Sequence, residues 1–194
     1  DLRDCPDLRV LTDERLLKDV FDDFAVASDA AHLVEAGTLD LRISDRRGGN
    51  ALLVTDDSVV AIVTAGDSVA GLETTENSFV RNARDTYGDV FRSAERFTLR
   101  TPPISAIRES LTDAFGADVR SDFETILESH RSNRDADGAL DEVMLSLLVA
   151  AKSDLLLYDI SKWGEDVGLA SKATFSRTKT QLEDAGVIET EKVP

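Results

Sequence analysis

The side chains that could support catalysis or hold a metal are scattered along this chain. His32 and His130 are its only histidines, and neither has a histidine, cysteine or carboxylate at the spacing of a known metal motif. The pairs Asp22-Asp23 and Asp56-Asp57 could do acid–base work, but a chain with 25 aspartates places such pairs on any solvated surface. We therefore expect no catalytic residue, no metal and no cofactor, and we interpret the protein as a non-enzyme.

Two stretches resemble functional motifs but lack an essential member. Residues 66–71 (GDSVAG) are one residue too long for a nucleophile elbow, and no histidine is placed to complete a triad. Residues 133–138 (NRDADG) begin like a calcium-binding EF-hand loop, but Met144 occupies the position that needs a bidentate glutamate. We interpret the first stretch as a turn between strands and the second as a polar linker.

Polar side chains suited to nucleic acid lie close together near the end of the chain. Arg and Lys can bond guanine or phosphate, Gln can bond adenine, and Ser and Thr can reach phosphates or base edges. The candidate DNA-binding residues are Lys162, Ser171, Lys172, Thr174, Ser176, Arg177, Thr180 and Gln181.

The elements that must position these side chains follow the pattern of a helix–turn–helix. A short helix ends near Val167, Gly168 provides a turn, and Ser171 is a natural N-cap for a second helix. Phe175 and Leu182 are predicted to pack one side of that second helix into the core. Its polar residues are then expected to face solvent. The segment 187–193 is predicted as a strand. This order is typical of a winged helix-turn-helix, whose second helix enters the major groove. An ordinary three-helix bundle with a polar outer face is the alternative.

Upstream of this module the apolar pattern changes repeatedly between helix and strand. We predict strands at 7–11, 39–43, 51–54, 59–63 and 69–73, and helices at 12–36, 76–97, 104–114, 121–132 and 141–152. Thr12 is the expected N-cap of the first helix, and Ser121 with Glu124 the expected capping box of another. The prediction is an α/β N-terminal domain, a small mixed sheet with flanking helices (residues 1–100), then connecting or dimerisation helices (101–137) and the winged module (138–194).

The charge pattern indicates an environment. The net charge is −16, with 25 Asp against 13 Glu and 16 Arg against 6 Lys. Hydrated carboxylates and few lysines suit molar salt, where a Debye length of about 3 Å screens repulsion between surface charges. An ordinary acidic mesophile protein is the alternative. The single cysteine fits a reducing cytoplasm, and no apolar run is long enough to span a membrane.

The tail LLYDISKWGEDVGLASKATFSRTKTQLEDAGVIETEKVP resembles that of haloarchaeal winged-helix transcription regulators of the TrmB-suppressor (TbsP) type. The resemblance extends to AHLVEAGTLDLRI, FTLRTPPISAI and LLVAAKSDLLLYDI. It implies a sequence-specific, DNA-binding regulator tied to carbon metabolism, with an N-terminal domain that senses a small molecule. One departure from the family pattern is that a wing needs two strands after the recognition helix, whereas this sequence reaches Pro194 just past the first. The second strand is missing or lies beyond the sequence given. Contacts of a wing to DNA are therefore not assigned.

The order of elements in residues 16–97 is also similar to half of a phospholipase-D-like fold, as in sugar-responsive TrmB regulators. The H-x-K-x-x-x-x-D catalytic motif of that fold is absent, because Leu33 and Val34 follow His32. A domain of this kind would bind a ligand rather than cleave it. The best candidate site is Arg46, Arg47, Gly48 and Gly49, which could hold a small anionic metabolite, although such a loop is more often a solvated turn.

The expected partners are double-stranded DNA and a second copy of the chain, since helix–turn–helix proteins commonly bind as two-fold dimers. The apolar residues of 104–114 and 121–132 could form the dimer interface or pack the two domains together. An alternative function is a winged-helix module that binds proteins of the transcription machinery without reading DNA. Loss of DNA binding in Arg177→Ala and Lys172→Ala would distinguish the two.

Overall fold

The computed structural model describes residues 6–44, 51–132 and 141–191. Contacts within the chain divide it into two compact units. The α/β unit contains Leu8–Leu17 and Asp40–Thr98. The helical unit contains residues 6 and 7, Lys18–Leu39, and the described residues from Leu99 onward.

The α/β unit contains two three-stranded sheets. Strands β1 (Leu8–Thr12), β2 (Leu39–Ile43) and β6 (Glu95–Arg96) form one sheet, in which β2 and β6 are antiparallel. This register places Arg42 opposite Arg96. Asp40 lies 3.0 Å from Arg42 and 3.5 Å from Arg96, which offsets the repulsion between the two guanidinium groups.

The second sheet is an antiparallel meander of β3 (Ala51–Val54), β4 (Val59–Ala65) and β5 (Ser68–Thr74). In the first turn Thr55 Oγ1 accepts a hydrogen bond of 2.9 Å from the amide of Ser58. In the second turn Gly66 adopts a φ of 59°, a left-handed conformation that favours glycine. Helix α3 (Asn77–Ser93) packs Val80 and Ala83 against Val59.

The helical unit surrounds one apolar core. It contains α2 (Phe24–Glu35), α4 (Ile104–Phe115), α5 (Ala117–Ser132), α6 (Glu142–Lys152), α7 (Leu157–Asp166) and α8 (Lys172–Asp184). Its fully buried large side chains are Ile107, Leu111, Phe123, Leu127, Leu145, Ile160 and Phe175. Helix α1 (Glu14–Val20) includes the boundary between the two units.

Helix α2 belongs to the helical unit although most of the α/β unit follows it in the sequence. Phe24 and Ala25 are part of the helical core. The hydroxyl of Ser28 donates a 2.7 Å hydrogen bond to the carbonyl of Pro102, and Ser105 Oγ lies 2.9 Å from His32 Nδ1. These contacts fix α2 against the start of α4.

The expected α/β and helical organisation is confirmed, but several predicted elements differ in extent. The predicted helix 12–36 is wrong as one element, because it is two helices. Asp13, not Thr12, accepts a hydrogen bond from the amide of Leu16 at the start of α1. Asp23 then accepts from the amide of Val26 and begins α2. A carboxylate that caps a new helix competes with continuation of the old one.

Two other boundaries were predicted wrongly. Helix α5 begins at Ala117, so Ser121 lies inside it and does not form a capping box. Glu124 instead receives two hydrogen bonds, of 2.6 and 2.9 Å, from the Arg108 guanidinium on α4. The predicted helix 76–97 ends at Ser93, and β6 follows.

The strand predicted at 187–193 does not form in its described part, residues 187–191. A strand requires a neighbour for its backbone hydrogen bonds, and no described segment pairs with this one. Ile188 nevertheless inserts into the helical core.

The apolar residues predicted to form a dimer interface or to pack the two domains together lie in the core of the helical unit. Ile104, Ile107 and Leu111 of α4, with Phe123 and Leu127 of α5, are all buried in the helical core. Because they are buried within this unit, these five side chains do not form a surface for a second copy. None of the helices in the described segments is both long and apolar enough to cross a bilayer.

Candidate nucleic-acid interface

The turn between α7 and α8 has a defined hydrogen-bond geometry. The amide of Leu169 donates to the carbonyl of Gly164 at 2.8 Å, and that of Gly168 donates to Glu165 at 3.2 Å. These two bonds form a Schellman motif, which satisfies the last carbonyls of a helix. The residue at its centre needs a left-handed backbone, and Gly168 has a φ of 81°. The angle at which the chain leaves α7 is therefore fixed by backbone bonds.

The two helices approach closely at a glycine. A Cβ on Gly164 would overlap the ring of Phe175, so the aromatic side chain lies directly on the α7 backbone. Phe175 is fully buried. Because only glycine permits this contact, the separation of α7 and α8 is set by a residue that has no side chain.

The start of α8 is fixed by its own cap. Ser171 Oγ accepts a hydrogen bond from the amide of Thr174 at 3.3 Å, as its position before the helix predicts. Phe175, Thr178 and Leu182 are buried along one side of the helix. These contacts determine which residues of α8 are left facing solvent.

The solvent-facing side of α8 carries most of the candidate residues. Ser176, Arg177, Thr180 and Gln181 are exposed on the helix, and the hydroxyl of Thr180 donates to the carbonyl of Ser176 at 3.1 Å. Ser171 is exposed at the N-cap, whereas Lys172 and Thr174 are partly buried. Most of these side chains are small, so a partner can approach the helix backbone closely. We define the exposed surface of Ser176, Arg177, Thr180 and Gln181 as the α8 face.

Two cations in this region are available for an external partner. Within the described chain, neither Arg177 nor Lys162 forms an ion pair or side-chain hydrogen bond, and both are exposed. Lys162 lies on α7, separate from the α8 face. An exposed, unpaired guanidinium can form two parallel hydrogen bonds with a phosphate or with guanine.

Lys172 is held in an internal arrangement. Its ammonium lies 3.6 Å from a carboxylate oxygen of Glu165 and 5.4 Å from the centre of the Tyr158 ring. Its side chain remains 43 % exposed, so this pair is weak and open to exchange with a phosphate. The predicted residues thus divide into a free cation on α8, a free cation on α7 and a tethered one at the turn.

Another lysine of α8, Lys179, is occupied by an ion pair within the helix. Lys179 donates to Glu183 one turn later, at 2.7 Å, and only 22 % of its side chain is exposed. Glu183 also accepts a hydrogen bond from Thr190. The Lys179 bond, with that of Thr190, holds the pKa of Glu183 below its ordinary value. The spacing of four residues between Lys179 and Glu183 is a sequence signal for this pair.

The local charge differs from that of the whole molecule. From residue 157 to residue 184 the chain has four basic and five acidic residues, whereas its net charge is −16. The region is therefore almost neutral, which removes most of the repulsion that a polyanion would meet elsewhere on this protein.

Helix α7 is anchored to the rest of the helical unit through Trp163. Its indole N–H donates to Ser110 Oγ at 3.1 Å, and its ring meets Phe115 edge to face, with centroids 6.2 Å apart. Both partners lie on α4. The α7–α8 pair is therefore tied to the helix that begins directly after Pro103.

Sequence reasoning did not identify Tyr158, which lies under Lys172 and is 64 % exposed. The sequence gives no sign that Tyr158 contacts Lys172, because that contact depends on how the turn between α7 and α8 folds. The proposed ligand loop, Arg46, Arg47, Gly48 and Gly49, lies outside the described residues, as does the linker 133–138.

Comparison with known families covers the whole chain. A family model described as "Transcriptional regulator TbsP-like, N-terminal" matches residues 1–102. A second, described as "Transcriptional regulator TbsP-like, C-terminal HTH domain", matches residues 103–194 and so includes α7, the turn and α8. No curated protein and no solved structure matches the chain. The similarity to half of a phospholipase-D-like fold stays a prediction.

Proposed function

The chain belongs to the TbsP-like family of transcriptional regulators, and from this premise we propose that it binds specific DNA sequences through α8. The observation that carries the proposal is the α8 face, where an unpaired Arg177 lies among small hydroxyl side chains on a helix fixed by buried residues. The guanidinium would read guanine or clamp a phosphate, and Gln181 would pair with adenine. Ser171 and Thr174, at the helix N-terminus, would bond a phosphate.

Binding by this acidic protein would depend on short-range contacts. Attraction over distance is weak, since the net charge of −16 opposes that of DNA. Arg177, Lys162 and Lys172 supply the local positive charge, with Lys172 exchanging Glu165 for a phosphate. Specificity would come from base edges and shape complementarity, because steering by net charge is absent.

The family and the composition support four finer proposals. The chain would act as a homodimer on a two-fold operator, since helix–turn–helix proteins commonly do so. It would control genes of carbon metabolism in response to a small anionic metabolite bound near Arg46. It would work in the cytoplasm, where the DNA is accessible. The Asp-rich, Lys-poor surface supports a salt-adapted archaeal source.

The test compares two cations of the same helix. Genome-wide mapping of bound DNA, with and without a change of carbon source, supplies a bound fragment. Fluorescence anisotropy then measures its affinity for Arg177→Ala and for the control Lys179→Ala, whose ammonium is occupied by Glu183. We expect Arg177→Ala to weaken binding by about tenfold or more, the value of one good base or phosphate contact. We expect Lys179→Ala to change affinity by less than about threefold.

Other outcomes separate the alternatives. Arg177→Lys keeps the charge and loses the paired geometry, so partial recovery would indicate a phosphate and no recovery a base. Unchanged affinity in Arg177→Ala and in Lys172→Ala would contradict DNA reading by α8 and would favour a protein-docking module.

A further inference from the structure

The outer edge of the meander sheet is formed by β5, and its first five residues, Ser68–Leu72, lack the usual features that prevent pairing with another strand. Among the described strands only β4 pairs with β5, without a break in register. Every residue from Ser68 to Glu73 is exposed, Val69 at 70 % and Leu72 at 67 %. Natural sheet edges are commonly protected by lysine, proline or charge, and Ser68–Leu72 contains none of these.

The hairpin register identifies the backbone groups that point outward. Gly66 and Asp67 form a two-residue loop, and Ala65 lies opposite Ser68. The pair that closes such a loop is hydrogen bonded, and bonded and non-bonded pairs then alternate along the ladder. The even-numbered residues of β5 therefore bond to β4. The amides and carbonyls of Val69, Gly71 and Glu73 therefore point away from β4, in the plane of the sheet, toward its open edge.

We propose that β5 pairs antiparallel with β5 of a second copy of this chain, across a two-fold axis at Gly71. Two-fold symmetry brings a strand against its own copy in antiparallel orientation. With Gly71 opposite Gly71, the outward groups form about six N–H···O bonds, two for each bonded pair. The two meanders become one six-stranded antiparallel sheet.

The placement of charge along β5 is compatible with a second copy as the occupant. In this register Glu73 of one copy lies opposite the uncharged Val69 of the other, and Ala70 lies opposite Leu72. The four central residues, Val69–Leu72, have no charge. Two molecules of net charge −16 can therefore meet here without placing carboxylates opposite each other, which like charges on facing strands would penalise.

The size of the contact predicts a reversible dimer. Seven residues of strand span about 24 Å. An edge contact of that length buries roughly half of the ~800 Å² per copy found in a standard stable interface. Each side of the sheet has an exposed apolar surface near β5. Leu72 and Leu52 lie on one side, and Val69 and Ile62 lie on the other. Both surfaces would continue across the two-fold axis. We expect dissociation within the concentration range that sedimentation can follow.

The inference rests on the proposed homodimer and not on DNA binding. Sedimentation equilibrium of the full chain would compare wild type with Val69→Glu, Val69→Lys and the double variant Val69→Glu/Glu73→Lys, at the lowest salt in which wild type stays folded. In Val69→Glu the new carboxylate of each copy lies opposite Glu73 of the other copy. The dimer therefore contains two facing carboxylate pairs, one at each end of the contact. Its dimer dissociation constant should rise by about tenfold or more.

The two controls test the register. Val69→Lys is equally polar but lies opposite Glu73, so its dissociation constant should stay within about threefold of wild type. The double variant exchanges the charges and should recover most of the loss. Since Val69→Glu and Val69→Lys disturb the monomer alike, the difference between them reports the interface.

Each remaining outcome is decisive. A wild-type dimer whose dissociation constant is the same in Val69→Glu and Val69→Lys would overturn the β5 contact while leaving the homodimer proposal intact. Wild type that stays monomeric at every concentration would overturn both. Anisotropy with the mapped DNA fragment remains separately measurable in either case.

Discussion

At the scale of single side chains, Gly164 and Glu142 should both affect the stability of the helical unit. Gly164 allows the Phe175 ring to lie on the α7 backbone, and Glu142 carries a carboxyl in a partly buried position at the start of α6. Neither would touch DNA in the proposed complex.

Substitution of Gly164 by alanine should destabilise the protein. The added Cβ overlaps the Phe175 ring, and overpacking of this kind costs about 1–3 kcal/mol of unfolding free energy. Gly88→Ala is the control, because a Cβ there meets only the end of the Arg92 side chain, at 3.5 Å. That change should stabilise α3 by up to about 1 kcal/mol. Denaturant unfolding of both variants measures the contrast, and equal effects would contradict the packing argument.

The pH dependence of stability should identify Glu142. Burial raises the pKa of its carboxyl in the folded state, and the charges of Asp141 and Asp22 act in the same direction. A raised folded pKa means that the ionised form is penalised on folding, and that this penalty disappears as pH falls through the folded pKa. Glu142→Gln should therefore unfold at a higher temperature than wild type at neutral pH, and the difference should shrink toward pH ~4. A difference that does not vary with pH would contradict this assignment.

At the scale of elements, the turn between α7 and α8 depends on the backbone alone. Nothing lies within 4 Å of a Cβ at Gly168, so a substitution there meets no steric obstacle, and its cost comes from the φ of 81°. Gly168→Ala should lose about 1 kcal/mol of stability, and Gly168→Asn should lose less because asparagine tolerates the left-handed region. Thermal unfolding checks the order. Equal losses would indicate that the turn can relax into another geometry.

Elements whose boundaries have a local signal could be predicted from the sequence, whereas those that depend on distant contacts could not. The starts of α6 and α8 and the β3–β4 hairpin were predicted almost to the residue, because Asp141, Ser171 and Thr55 give local signals at these boundaries. The α1–α2 break was missed, since the apolar spacing continues through Asp23 and only the cap interrupts the helix. The strand after α8 was predicted from composition, but a strand also needs a partner that sequence spacing does not reveal.

The candidate site was only partly predictable for a related reason. The helical period separates Arg177 and Thr180 from the buried Phe175, so exposure follows from sequence. Sequence does not show whether each cation is paired within the chain, because that depends on which side chains the fold brings near it. Lys172 meets Glu165 and Tyr158 across the turn, whereas the partner of Lys179 is visible as a residue four positions later.

At the scale of the whole molecule, acidity should change how DNA affinity responds to salt. The slope of log affinity against log salt is about −0.9 for each neutralised phosphate. Among the described residues of α7 and α8, we expect Arg177, Lys162 and Lys172 to neutralise phosphates, so the slope for each bound helix–turn–helix should be about −3. Titration of KCl in the anisotropy assay measures it. A slope of −7 or steeper would show that cations outside this region take part.

The route of the chain between its two units has a consequence for how this regulator could change over time. Helix α2 lies before most of the α/β unit but completes the core on the α4 side, through Phe24, Ser28 and His32. Recombination that joined residues 103–194 to an unrelated N-terminal domain would leave that side of the core open to water. Changes in the N-terminal half should therefore arise here by gradual substitution within one gene, and not by recombination with other domains.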